Sequence, residues 1–136
     1  MAIGIQIVGP KAALPRREAE LAILRIGWLL RAPFEWGEHV AIGKRFGLTD
    51  DEVERITVGS SAPGWSEHDQ AILRGVEELL HDTYVSDETW DILARSRNDA
   101  QLLEFPVLVG LYVTTAMHQN AMRLRLHAGN AGLKRR

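Results

Sequence analysis

Apolar residues dominate the segment Leu21–Leu30, which runs LAILRIGWLL and contains a single charged residue, Arg25. Upstream, Pro15 is followed by Glu18 and Glu20, an order typical of the first turns of a helix. A helix formed here is apolar on nearly all sides, so the pattern predicts burial on most of its surface. In a chain this small, such burial often requires a partner subunit.

The rest of the chain is divided by helix-start and helix-stop residues. Pro33 suits the first position of a second helix that extends to about Phe46 and stops at Gly47. Ser, Thr and acidic residues in capping patterns open the later helices. These are predicted at about 49–57, 66–81, 86–96 and 99–126, the last with a kink or break at Pro106.

Strand patterns are nearly absent, so the sequence predicts an all-α bundle of about six helices. We expect a single domain over residues 14–127, an irregular or disordered lead-in over residues 1–13, and a tail over residues 128–136. The basic cluster KRR at the end of the chain is expected to be a solvated part of that tail.

The composition narrows the possible functions. The chain has 136 residues, a formal net charge of -2 and no cysteine. Without an excess of positive charge, nucleic-acid binding is not expected. Thiol nucleophiles, thiolate metal sites and disulfides are excluded outright. No signal peptide or membrane span is expected from the apolar runs, which makes a cytoplasmic protein without a membrane partner the default.

Candidate chemistry is concentrated in the segment APFEWGEHV. Glu35 and His39 are four residues apart and share one helix face. Glu20 lies on the preceding helix, and a tight turn folds the two helices into an antiparallel pair, so the three side chains could meet. A carboxylate–histidine–carboxylate cluster beside apolar helices suits proton transfer. Alternatively, Glu35 simply meets the helix dipole and His39 hydrogen-bonds to it.

The segment LPRREAELAILRIGWLLRAPFEWGEHVAIGKRFGLTDDEVERI resembles the carboxymuconolactone decarboxylase-like family, which includes alkylhydroperoxidase D. Three later motifs add to the resemblance: GW at residues 64–65, TW at residues 89–90, and Gly110-x-Tyr112 followed by Asn120. The resemblance therefore covers about residues 14–126. It implies an alkylhydroperoxidase D-like fold and trimers or hexamers with sites near subunit contacts.

In the peroxidase branch of that family, the motif is Glu, eleven residues, Cys, two residues, Cys, three residues, His. This motif places its first Glu on Glu20, its cysteines on Ala32 and Glu35, and its His on His39. Both thiols are absent, so the resemblance points away from thiol redox chemistry and toward acid/base chemistry, as in the decarboxylase branch. The substrate is not implied.

Six further residues could line a pocket for a ring-shaped substrate, or could instead belong to the core. They are Trp28, Trp36, Trp65, Tyr112, Met117 and Asn120. A metal site formed by Glu20, Glu35 and His39 lacks a second histidine at a ligating spacing, so we expect neither a metal nor a cofactor. Outside this cluster, His68, His81 and His127 are expected to face solvent.

The leading hypothesis is a cofactor-independent enzyme that transfers a proton on a small cyclic or aromatic-derived acid, lactone or enone, by decarboxylation or isomerisation. His39 would be the general acid/base, Glu35 its partner or a second acid, and Glu20 the residue that orients the imidazole. Two alternatives stay open. One is a non-catalytic oligomer that binds a small molecule or acts as a scaffold; the other is a peroxidase with a non-thiol mechanism.

Overall fold

The computed structural model describes residues 9–134, which form six α-helices and no strand. This confirms the predicted all-α bundle. The helices are α1 (Arg16–Leu29), α2 (Pro33–Arg45), α3 (Asp50–Val58), α4 (Glu67–Asp82), α5 (Asp87–Ala94) and α6 (Asp99–Ala121).

The first helix is the centre of the bundle. Every residue from Glu18 to Gly27 is buried, and α1 packs against α2, α3, α4 and α6. The fully buried apolar side chains of α1 are those of Leu21, Ile23, Leu24 and Ile26. The expectation that this helix is enclosed on most sides is therefore confirmed within a single chain.

The turn between α1 and α2 sets the antiparallel pair. Arg31 adopts a left-handed conformation with φ of 50°. The backbone N–H of Ala32 donates to the carbonyl of Gly27 at 2.9 Å, which closes the end of α1. From α6, the Asn120 amide donates to the carbonyls of Leu30 and Arg31 at 3.2 and 3.4 Å. Asn120 thus holds the turn that starts α2.

Buried Arg25 joins three helices. Its guanidinium donates to the carbonyls of Ile56 and Thr57 at the end of α3, and to Glu77 of α4 at 3.0 Å. Glu77 in turn accepts hydrogen bonds from the backbone and hydroxyl of Ser60. Since burial of an unpaired guanidinium is costly, this network explains how the one charged residue of the apolar run is accommodated.

The last helix differs from its prediction at two points. It continues through Pro106 without a break, with buried Phe105 and Leu108 on either side to anchor it. It also ends at Ala121 rather than near Leu126. Arg123 takes a left-handed φ of 52°, and the N–H of Met122 returns to the carbonyl of His118. Of the helices in residues 9–134, only α6 is long and apolar enough to cross a membrane by length and composition, and a third of that window is buried in the bundle.

The segment expected to be a tail is docked on α2 over residues 128–134. Asn130 is buried, and its amide donates to the carbonyl of Phe34 at 2.9 Å and to Glu38 at 3.0 Å. The indole N–H of Trp36 donates to the carbonyl of Lys134. Gly37 leaves space for the Asn130 side chain, because a Cβ at residue 37 would overlap its amide. These contacts come from residues more than ninety positions apart, which local sequence patterns do not reveal.

The expected lead-in is described only from residue 9. Residues 9–12 form a turn, and the N–H groups of Ala13 and Leu14 donate to Glu104 of α6 at 3.1 and 2.8 Å. The earlier part of the lead-in, residues 1–8, and the last two residues of the tail lie outside the described residues.

We expect Gly37→Ala to displace Asn130 and to lower the free energy of unfolding by about 1–3 kcal/mol, as overpacking typically does. Urea denaturation followed by tryptophan fluorescence measures the loss. Because Asn130→Gly removes the obstructing amide, the double variant should be less destabilised than the sum of the two single variants. Strictly additive effects would show that Gly37 and Asn130 are not in contact.

Candidate active site

A hydrogen-bonded series of three side chains connects α1 to α2. Glu20 is fully buried, and its two carboxylate oxygens have different partners. Arg16, one turn earlier on α1, donates through Nε to Oε1 at 2.7 Å. His39 of α2 lies with Nδ1 2.7 Å from Oε2. Since a carboxylate only accepts, Nδ1 is the ring nitrogen of His39 that donates to Glu20, and Nε2 is the nitrogen left for another partner.

His39 keeps a small opening to solvent. Its side chain is 12% exposed, and Nε2 makes no hydrogen bond to any residue from 9 to 134. The ring meets Tyr112 of α6 edge-on, with centroids 5.3 Å apart and planes at 90°. Burial and the nearby charge of Glu20 raise the pKa of Tyr112 to about 12, so its phenol remains a proton-bearing donor at neutral pH. The imidazole is thus held on two sides and open at Nε2.

Glu35 is a buried carboxyl with no partner. Its residue is 1% exposed, and neither carboxylate oxygen has a hydrogen bond within the described residues. Burial, and then the charge of Glu20, raises the pKa of Glu35 to about 8. Gly27 on α1 contributes to this burial, because its missing side chain lets the two helices approach; a Cβ there would lie 3.6 Å from Glu35 Oε2.

The two carboxyl groups lie in different environments. Glu20 is bound by Arg16 and His39, whereas burial raises the pKa of Glu35 to about 8, so that this carboxyl favours its protonated form near neutral pH. An unprotonated imidazole nitrogen beside a neutral carboxylic acid can remove a proton from one atom and deliver one to another. A cleft of about 310 Å³, lined by Gly9, Pro10, Arg16 and Phe46, opens at the Arg16 end of the series.

Glu20 contacts His39, the His39 ring contacts Tyr112, and the charge of Glu20 contributes to the raised pKa of Glu35. Of the two tryptophans beside them, Trp36 is a core residue, whereas Trp28 lines a cleft of about 270 Å³ with Leu29, Arg31 and Leu133. Trp36 is fully buried, and its ring lies 5.0 Å from that of half-buried Trp28. The expected exposure of Trp36 to a pocket is therefore not found, because its indole is enclosed between α1 and the segment that ends at Lys134.

The other three residues weighed as pocket-lining contact other parts of the molecule. Trp65 donates to the carbonyl of Gly59 at 3.1 Å and packs under Arg55. Met117 is 62% exposed and lines a separate groove of about 390 Å³ with Leu30, Leu79 and Leu80. Asn120 supports the turn between α1 and α2. Helical spacing in the sequence could not predict whether these residues lie at the candidate site, since their contacts are with elements distant in the chain.

Arg16 was missed by sequence reasoning, although its position four residues before Glu20 could have indicated the pair.

One histidine was also misassigned. His81 and His127 have exposed side chains as expected, whereas His68 is half-buried, with Nε2 3.1 Å from Glu18 and Nδ1 3.3 Å from the hydroxyl of Ser96. Glu18 is also bound by Arg97, which ties α1 to the α5–α6 connection.

Within residues 9–134, no group of three or more His, Cys, Asp or Glu side chains is arranged to hold a metal ion. The cluster of His39, Glu20 and Glu35 is not such a group, since the carboxylate oxygens of Glu20 are already bound by Arg16 and His39.

Comparison with known proteins identifies the family. A model described as the carboxymuconolactone decarboxylase family matches residues 2–78, more than half of the chain. The chain belongs to this family. The matched region includes Glu20, Glu35 and His39, whereas Tyr112 lies outside it. No curated protein matches the chain in sequence.

A solved structure supports the fold of this carboxymuconolactone decarboxylase family member. It is the crystal structure of a protein of unknown function from Agrobacterium tumefaciens, described as a candidate antioxidant defence protein AhpD. The two superpose with a TM-score of 0.81 at 19% identity, covering 94% of this chain and 88% of the other. The predicted alkylhydroperoxidase D-like fold is thereby confirmed, and at this identity the similarity concerns the fold alone.

The buried Glu35 should make stability depend on pH. The folded chain retains this proton up to about pH 8, whereas the unfolded chain releases it near the ordinary value of 4.5. Unfolding is therefore favoured as pH rises between these values, by an amount on the order of a few kcal/mol in total. Urea denaturation across this pH range should show that the free energy of unfolding of the wild type falls as pH rises. The Glu35→Gln variant should lose most of this pH dependence.

Glu88→Gln is the matched control, since the Glu88 side chain is 79% exposed. It should leave the pH dependence of the wild type unchanged. If Glu35→Gln also leaves that dependence unchanged, Glu35 does not hold its proton in the folded chain.

Proposed function

We propose that this protein is a cofactor-independent acid/base enzyme that transfers a proton on a small cyclic or aromatic-derived acid, lactone or enone, in a decarboxylation or an isomerisation. The observation behind the proposal is the 2.7 Å contact of His39 with Glu20 beside the unpartnered carboxyl of Glu35. Membership of the carboxymuconolactone decarboxylase family agrees with this chemistry.

In an isomerisation, Nε2 of His39 removes a proton from a carbon next to the substrate carbonyl. The electrons of that C–H bond form a new C=C bond, and the carbonyl oxygen takes up the charge. Glu35 then delivers its proton to the conjugated carbon, which moves the double bond. The proton taken up by His39 returns to Glu35 through solvent, which restores both groups. Glu20 stabilises the imidazolium that forms in the first step.

In a decarboxylation, the electrons of the breaking C–C bond flow into the conjugated carbonyl as CO₂ leaves. Glu35 supplies the proton that the carbon then requires, and solvent returns a proton to the carboxylate left on Glu35, which restores the acid. A dehydrated site favours this step, because a carboxylate attached to the ring is less stable away from water than neutral CO₂. Both reactions use Glu35 as the proton donor, the isomerisation also uses His39 as the base, and neither needs an electron acceptor.

The substrate must be small and present a conjugated carbonyl, since both reactions place charge on that oxygen. The phenol of Tyr112, which retains its proton, is a suitable donor to such an oxygen. The cleft of about 310 Å³ beside Arg16 is at the lower limit of small-molecule sites.

Replacement of His39 tests the proposal directly. A panel of unsaturated five-membered lactone carboxylic acids and cyclic enones in D₂O is followed by proton NMR, which detects exchange or loss at the carbon next to the carbonyl. His39→Gln should slow the His-dependent reaction by about 100- to 10,000-fold, the range typical of a general base, while circular dichroism shows a folded helical protein.

His81→Gln is the matched control, because His81 also lies beside a carboxylate, Asp82, but has an exposed side chain. It should leave the rate unchanged. Equal rates for His39→Gln and wild type would remove His39 from the mechanism. If the wild type accelerates no member of the panel, the non-catalytic alternative is favoured.

Glu20 acts through His39 and is therefore expected to be a positioning residue. Glu20→Gln should reduce kcat by about 10- to 100-fold with little change in KM, since the amide no longer fixes the imidazole tautomer or stabilises its charged form. Glu20→Asp should recover part of the rate, because it restores the charge. A pH profile of kcat that is identical for Glu20→Gln and wild type would contradict this role.

A further inference from the structure

A second cluster of polar side chains lies where α1, α4 and the connection between α5 and α6 meet. It consists of Glu18 on α1, His68 in the first turn of α4, and Ser96 and Arg97 after the end of α5. His68 and Ser96 are 28 positions apart in the chain, and Glu18 and Arg97 are 79 positions apart, so only the fold brings them together. None of the four belongs to the candidate active site around His39.

The carboxylate of Glu18 is the buried end of this cluster. The residue is 7% exposed, and both of its oxygens accept hydrogen bonds from Arg97, one of them from Nε at 2.9 Å. The same guanidinium donates to the backbone carbonyl of Ser96 at 2.6 Å. A forked pair of this kind favours the ionised carboxylate and fixes its position. Arg97 therefore holds both the Glu18 carboxylate and the backbone that carries Ser96.

The imidazole of His68 lies between Glu18 and Ser96. Its buried Nε2 is 3.1 Å from Glu18 Oε1, close to it but not aligned for a hydrogen bond. Its Nδ1 is 3.3 Å from the Ser96 hydroxyl. Burial lowers the pKa of His68 below its ordinary value, which favours the neutral ring. Because a carboxylate only accepts, the neutral ring places its proton on Nε2 and leaves Nδ1 to accept the hydroxyl proton.

The Ser96 hydroxyl is the exposed end of the cluster. Ser96 lies two positions after the end of α5, and its exposure makes it accessible to a molecule in solution. Arg97 alone supplies the countercharge that the burial of Glu18 requires, so this ion pair does not account for an imidazole placed beside the hydroxyl. The order hydroxyl, imidazole, carboxylate is the one in which a base activates an oxygen nucleophile and a carboxylate orients the base.

We propose that Ser96, His68 and Glu18 form a second reactive site, in which the Ser96 hydroxyl accepts an acyl group from an activated carboxylic ester. Ser96 Oγ forms a bond to the carbonyl carbon of the ester, and the C–O bond to the leaving alcohol breaks. The proton of Oγ passes to His68 Nδ1 and from there to the leaving oxygen. Glu18 does not touch the ester and is a positioning residue for the imidazole.

Water then removes the acyl group from Ser96. The water oxygen attacks the acyl carbon while His68 takes its proton, and the same proton returns to Oγ as the carboxylic acid leaves. Both steps restore the starting groups and need no oxidant or reductant. The site shares no residue with the proposed proton transfer at His39, so the two proposals stand or fall separately.

Acetylation by p-nitrophenyl acetate tests the proposal. Absorbance follows the release of p-nitrophenolate, intact mass spectrometry counts the acetyl groups, and peptide mapping locates them. We expect an acetyl group on Ser96 of the wild type and its loss in Ser96→Ala. Ser61→Ala removes another exposed hydroxyl, between α3 and α4, and should be acetylated like the wild type. No acetyl group on Ser96 of the wild type, or equal acetylation of Ser61, would overturn the proposal.

Variants of the other two residues test their roles. His68→Gln should slow acetylation of Ser96 by about 100-fold or more, since an amide cannot take up the proton. His81→Gln, which removes an exposed imidazole, should keep the wild-type rate. Glu18→Gln should also slow the reaction, and Glu18→Asp should recover part of the rate because it restores the charge. Circular dichroism verifies that each variant is folded, and a wild-type rate in folded His68→Gln would contradict the assignment of His68 as the base.

Discussion

The structure of this protein depends on the burial of two carboxyl groups where α1 meets α2. Both Glu20 and Glu35 are removed from water, and two negative charges cannot be kept close together in such an environment. Arg16 and His39 are the partners of Glu20, whereas Glu35 has no hydrogen-bond partner among residues 9–134 and its pKa is raised to about 8. The tight turn at Arg31 and the absence of a side chain at Gly27 bring the helices close enough to impose this difference. Every chemical property of the candidate site follows from it.

A consequence of this arrangement is that one chain contains both an oriented base and a proton-bearing acid without a thiol. Ala32 and Glu35, the positions where the resemblance places thiols, are both buried. Ala32 carries no reactive group, whereas Glu35 is a carboxyl whose pKa burial raises to about 8. Under the proposed function, these two positions would serve proton transfer rather than thiol redox chemistry.

The sequence predicted those features that depend on neighbouring residues. The cap of α3 at Thr49, the caps of α4 and α5 at Ser66 and Ser86, and the shared face of Glu35 and His39 all depend on spacings of three or four positions. The depth of Trp36 and the docking of Asn130 could not be predicted in this way. They depend on a segment far along the chain, whose irregular backbone follows no periodic pattern. The contact of His39 with Glu20 was foreseen only as feasible, because the crossing of two helices is set by packing rather than by spacing.

The late position of residues 130–134 in the chain bears on the order in which the candidate site is enclosed during folding. Glu20, Glu35 and His39 all belong to the first third of the chain, yet the surfaces that enclose them come from its last quarter: Tyr112 from α6, and the carbonyl of Lys134 against Trp36. Because Tyr112 and the carbonyl of Lys134 come late in the chain, we expect the enclosure of His39 and Trp36 to be completed only after α6 and residues 130–134 have packed.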